Sequence, residues 1–144
     1  GSTNNAADGL TVTGNSWNAL ALAPNAFVSV LGNLARISVS GNDVNMAATN
    51  DVGHFLTLSS KVLTLARIRG NVLTVVGSTG AAVGIFLTGS ATTCTGDVSY
   101  NLVSSLDTTA ELIATAGTGL KFFENYYTGT ADASGKLWPV VDGA

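Results

Sequence analysis

Between Lys61 and Gly77 the chain reads KVLTLARIRGNVLTVVG. Nothing else in the sequence restricts the fold as much. The pattern is two strands around Arg69-Gly70-Asn71, with apolar residues on both faces and three of the chain's six basic residues among them. A ribbon with two apolar faces invites association if either is left bare. One face therefore belongs to the domain core. The sequence assigns the other to copies of the chain in a closed, symmetric oligomer.

Strand signals continue on either side. Ala26–Leu31, Gly32-Asn33 and Leu34–Ser40 read as a hairpin, because Gly-Asn supplies the positive φ angles of a two-residue turn. Lys61–Arg69 and Val72–Val76 read as a second. His54–Ser60, Val83–Thr88, Val98–Val103, Leu120–Tyr127 and Leu137–Val141 complete eight or nine strands. Turn residues separate them at the spacing of roughly 8–12 residues found in a sandwich or barrel. Leu34-Ala35-Arg36-Ile37 recurs 31 residues later as Leu65-Ala66-Arg67-Ile68, each followed shortly by Gly-Asn. Two copies fall short of the three that a solenoid needs. The echo reads either as convergent strand-and-turn chemistry or as two arginines in equivalent places on neighbouring strands.

At most one short helix is expected, over residues 107–117. Thr108 and Glu111 fit a capping box and Gly117 a C-terminal cap, although Leu112, Ala114 and Ala116 also alternate as in a strand. Residues 1–2 resemble a scar left by expression, 3–9 a flexible lead-in, and 10–144 a single β domain at the C-terminal end of a longer chain.

Composition excludes several functions. Charged residues are 10% of the chain, against roughly 25% in an average soluble domain. Six scattered cations in a chain of net charge −3 make no basic stripe, so nucleic acid is not an expected partner. Gly, Ser, Thr or Asn interrupts every apolar run before the ~18–20 residues that span a bilayer, so membrane insertion is not expected. Cys94 is alone and forms no intrachain disulfide, which fits folding in a reducing cytoplasm.

No catalytic set stands out. His54, the single histidine, lacks a nucleophile context, and one His and one Cys do not make a zinc site. Asx residues at 42–45 and 50–51 lack the EF-hand frame and read as turns. Glu124 and Asp132 are the acids best placed to converge, with nothing to favour that over solvated loops. The expectation is a protein that is not an enzyme and needs no cofactor.

Candidate contact residues are aromatic or cationic. In Lys121-Phe122-Phe123-Glu124-Asn125-Tyr126-Tyr127, unbroken alternation puts Phe122, Glu124 and Tyr126 on one face. One face is core or subunit contact; the other is available to a sugar. Glu124, Tyr126, Tyr127, Trp138 and Trp17 are the candidates from this reasoning. Arg36, Arg67 and Arg69 lie in strands among apolar neighbours. They either bridge subunits, hold a small anionic molecule at the subunit interface, or stand exposed.

The low-charge repeats at 34–37 and 65–68, the small-residue turns such as Gly77–Ala82, and the tip-like stretch Gly129–Trp138 together resemble the C-terminal knobs of phage tail needles, tail fibres and viral spikes. That resemblance implies an antiparallel jelly-roll-like sandwich similar to tumour necrosis factor, assembled as a homotrimer. It further implies a protein of the virion, part of a phage tail, folded in the host cytoplasm and binding a cell-surface receptor or glycan. A purely structural decoration or tail-tip plug, and a monomeric lectin-like module, are the alternatives.

Overall fold

A computed structural model describes residues 9–19, 26–31, 34–46, 54–58, 64–75, 83–89, 94–105, 111–113 and 119–129. The chain winds in successive coils. The first carries β1 (Leu10–Thr13), β2 (Ser16–Ala19) and β3 (Ala26–Val30). The second carries β4 (Arg36–Ser40), β5 (Asp43–Met46) and β6 (His54–Leu58), and the third β7 (Leu65–Arg69), β8 (Val72–Val75) and β9 (Val83–Gly89). The fourth carries β10 (Thr95–Ser99), β11 (Leu102–Ser105) and β12 (Glu111–Ile113), and the fifth β13 (Leu120–Phe123) and β14 (Tyr126–Gly129).

Each of the first four coils adds one strand to each of three sheets, and the described residues of the fifth add one to two of them. Their orders are β1-β4-β7-β10-β13, β2-β5-β8-β11-β14 and β12-β9-β6-β3. Every pairing between them is parallel. The architecture is a parallel β-solenoid, in which each strand contacts its counterparts one coil above and below.

This overturns the antiparallel jelly roll. The expected hairpin partners β3 and β4 belong to different sheets, as do β7 and β8. Gly70 does adopt a positive φ of 62°, but the turn carries the chain around a corner into the next sheet instead of back along the same one, while the other expected turn, Gly32-Asn33, lies outside the described residues. The expected helix is also corrected: within 107–117 the described residues Glu111–Ile113 form β12, paired with β9.

The core is built of rows running up the stack. Val12, Val39, Ile68, Val98 and Phe122 lie in register in the first sheet. Trp17, Val44, Leu73, Val103 and Tyr127 do so in the second. The middle members of both rows are fully buried. A further line of rings climbs from Trp17 through Phe27 and Phe55 to Phe86, with centroids 5.3, 5.4 and 4.7 Å apart. The described part of the ribbon, residues 64–75, thus finds its cover within the chain. Ala66, Ile68, Leu73 and Val75 point inward, and the coils on either side shield them. The strands stack 29 residues apart here, so Arg36 faces Leu65 and Arg67 faces Ser38. The 31-residue echo is two residues out of register, and its arginines are not equivalent.

The corner between the first two sheets repeats in all five coils: a left-handed residue followed by asparagine. Gly14, Gly41, Gly70, Tyr100 and Glu124 hold φ between 52° and 67°. The asparagines that follow form a ladder. Asn15, Asn42, Asn71 and Asn101 each donate from backbone N–H and from Nδ2 to the Oδ1 of the asparagine one coil on, at 2.9–3.1 Å. From Asn42 onward, Nδ2 also donates to a carbonyl of the preceding coil: Val12, Val39, Ile68 or Val98. The ladder satisfies polar groups that would otherwise be stranded beside the core, since Asn42, Asn71 and Asn101 are buried.

Candidate functional site: an aromatic corner and an arginine face

The left-handed corner slot favours glycine, because a Cβ there crowds the backbone at a cost of about 1 kcal/mol. The first three coils obey that rule. The fourth and fifth place Tyr100 and Glu124 in the slot instead. Residues held in such sparsely populated backbone regions cluster at functional sites.

The residues around these two slots cluster. On the outer face of β13, Phe123 lies edge-on to Tyr100, with ring centroids 5.9 Å apart and planes at 86°. Across the corner, the Tyr126 hydroxyl donates to Glu124 Oε2 at 3.3 Å. Tyr100 and Tyr126 are each 61% exposed, and Phe123 and Leu102, the in-register partner of Tyr126, are each 38% exposed. Single exposed apolar residues are ordinary, but four large ones around one turn form a patch. Rings with open faces and a carboxylate at their edge can stack on the apolar face of a pyranose and accept from its hydroxyls.

Next to this corner lies the outer face of the first sheet, where Arg36, Arg67, Arg69, Asp97 and Lys121 project. Arg69 donates from Nε to Asp97 Oδ1 and from Nη2 to Oδ2, both at 2.5 Å, and Ser99 Oγ donates to Oδ1 at 3.0 Å. The bond from Arg69 holds the Asp97 carboxyl below the usual carboxylate range, against the opposing effect of burial. A groove of about 310 Å³ runs along the first coils of this face, lined by Thr11, Arg36, Ser38, Leu65 and Arg67 among others.

The sequence candidates therefore separate. Glu124 and Tyr126 meet at the corner, and Arg36 and Arg67 share the groove. Arg69 is bound to Asp97 between them. Trp17 and Tyr127 occupy the same core row at opposite ends of the stack, half-buried, so their rings complete the interior. Trp17 also borders an open hollow of about 420 Å³ with Val12 and Phe27 at the first coil. Trp138 lies outside the described residues. Unbroken alternation through residues 121–127 fails at Glu124-Asn125: the corner resets the faces, turning Phe122 inward and Phe123 and Tyr126 outward. Tyr100, Leu102, Phe123 and Asp97 escape a reading based on strands alone. Their signal is positional, for Tyr100-Asn101 and Glu124-Asn125 stand where earlier coils have Gly-Asn.

Cys94 is fully buried, and burial pushes its thiol up to about 11, so it is no nucleophile at neutral pH.

Compared with known proteins, the chain matches no family model, no curated protein and no solved structure.

Proposed function

We propose that this chain is a non-enzymatic binding rod that contacts a cell-surface glycan through the corner formed by Tyr100, Phe123, Glu124 and Tyr126. The observation that carries this reading is the substitution of Tyr100 and Glu124 into slots where the other coils use glycine. Each places a side chain suited to sugar recognition at the cost of backbone strain, and each does so beside a second exposed ring. A stack of coils fixed by an asparagine ladder supplies the rigid platform that such a contact needs.

Glycoside hydrolysis calls for two carboxylates flanking the scissile bond. Here the Asp97 carboxylate is held at both oxygens by Arg69, which favours binding over turnover. A charge-poor rod fits a section of a phage tail appendage or viral spike, folded in the host cytoplasm and displayed on the virion. The homotrimer belongs to the same proposal. A solution mass near three times 14.5 kDa is the expected result, and a monomer at all concentrations removes the trimer.

Binding of the chain and of Tyr126→Ala to an array of cell-surface glycans tests the central reading. Retention by at least one glycan, weakened about tenfold in the variant, is expected. An array with no bound glycan, or equal binding by both proteins, overturns it.

A further inference from the structure

Among the described residues, the outer face of the first sheet gathers cations that the corner alone does not explain. Among the described residues of the first sheet's outer face stand four of the chain's six Lys and Arg residues, Arg36, Arg67, Arg69 and Lys121. One acid, Asp97, stands among them, in a chain whose net charge is −3. That acid is engaged by Arg69 at both oxygens. Arg67 is in register beside Asp97 and feels its charge, but makes no ion pair with it.

Arg67 also completes a row. Thr11, Ser38 and Arg67 face outward at one register position on adjacent strands, which places two hydroxyls and a guanidinium about 4.8 Å apart in sequence up the face. Arg36 and the half-buried Leu65, paired across β4 and β7, form the next row. Both rows line the same groove. Its volume of about 310 Å³ lies at the small end of ligand sites, the scale of one or two sugar units. A guanidinium fork matches a carboxylate or sulfate, the hydroxyls match ring hydroxyls, and Leu65 offers an apolar floor.

We propose that the groove between Arg36 and Arg67 is a subsite for an anionic sugar, so that the glycan bound by this rod is an acidic one, carrying carboxylate or sulfate. This rests on the glycan-contact reading above and adds a second point of attachment on the same side of the rod.

The test uses affinity electrophoresis of the full chain through gels containing polygalacturonate, its methyl ester, dextran sulfate or dextran. Retardation by polygalacturonate or dextran sulfate, weaker by about tenfold in Arg67→Gln and absent with the methyl ester, is expected. Retardation should also fall with added salt. Polygalacturonate and dextran sulfate separate carboxylate from sulfate recognition. Equal retardation by polygalacturonate and its ester, or no effect of Arg67→Gln, overturns the anionic subsite. If dextran or the ester is still bound in a Tyr126-dependent way, the glycan-contact reading survives that failure. Binding of the anionic polymers that depends on Arg67 but not on Tyr126 supports the anion site and removes the aromatic corner instead.

Discussion

Arg69 reaches from one coil to the next and closes on Asp97 with two parallel bonds of 2.5 Å, Nε to Oδ1 and Nη2 to Oδ2. The pair ties β7 to β10 on the outer face, with the Asp97 side chain 13% exposed and that of Arg69 51% exposed. Its pH dependence follows from the lowered carboxyl. A carboxyl that binds its proton more weakly in the folded state stabilises the fold above its unfolded value, near 3.8, and that contribution is lost as pH falls through the folded value. Asp97→Asn should therefore lower stability at pH 7 by about 1 kcal/mol, a modest figure because Arg69 is half in solvent. The gap between parent and variant should narrow below pH 4. Urea midpoints of both proteins at pH 7 and pH 3 measure it, and a gap of equal size at both contradicts the assignment.

The asparagine ladder makes a position-dependent prediction. Asn71 is fully buried, accepts from the backbone and side chain of Asn42, and donates to Val39 O and Asn101 Oδ1. Asn71→Ala deletes all four bonds and strands buried donors of Asn42, which costs about 3 kcal/mol or more. Asn15 stands at the first coil, where its side chain is exposed and only donates. Asn15→Ala should cost less than about 1 kcal/mol. Equal losses for the two, read from chemical unfolding, would mean that the ladder is not the polar spine of the stack.

These asparagines also mark where the sequence was legible and where it was not. The all-β character followed from alternation and turn spacing, because inward rows such as Ile37-Val39 and Ala66-Ile68 obey the period of two. Sheet topology did not follow, since Gly-Asn supplies a left-handed residue equally well to a hairpin and to a solenoid corner. The distinguishing signal is long-range: an apolar residue three before each asparagine and another two after it, from Val12 and Trp17 to Phe122 and Tyr127, returning at intervals of 27, 29, 30 and 24 residues. Loss of glycine in the last two copies hid the repeat. The echo of Leu-Ala-Arg-Ile drew attention to a spacing two residues off the true register. The same loss of glycine concealed Tyr100 as a site residue, because nothing local in Ser99-Tyr100-Asn101 announces a left-handed corner.

Gly96 tests the tightness of the stack. It lies in the inward row between Ala66 and Leu120 with φ 130°, and a Cβ on it would stand 1.8 Å from the Ala66 carbonyl oxygen. The obstacle is backbone, so no side chain can move aside to relieve it. Gly96→Ala should cost about 3 kcal/mol or more, or leave no folded protein. Gly41→Ala meets no atom within 4 Å and bears only its φ of 62°, a cost of about 1 kcal/mol. Thermal midpoints of the two variants, with soluble yield as a second readout for Gly96→Ala, rank them. A Gly96→Ala protein as stable as Gly41→Ala would show that β7 and β10 do not approach so closely.

The corner itself yields a prediction in which stability and binding move in opposite directions. Tyr100 holds φ 56° in a slot that Gly14, Gly41 and Gly70 fill without strain. Its ring is 61% exposed and touches Phe123 only edge-on, so little packing is lost when it goes. Tyr100→Gly should leave the protein as stable as the parent or more stable by up to about 1 kcal/mol, because relief of the left-handed strain offsets the lost contact. Glycan retention should fall about tenfold in the same variant. Tyr100→Asn supplies the control, since asparagine tolerates the left-handed region yet offers no ring, and it should share the loss of binding. A tyrosine kept for packing alone would give the reverse result: Tyr100→Gly would unfold at lower temperature, by an amount equivalent to more than about 1 kcal/mol, and bind as before.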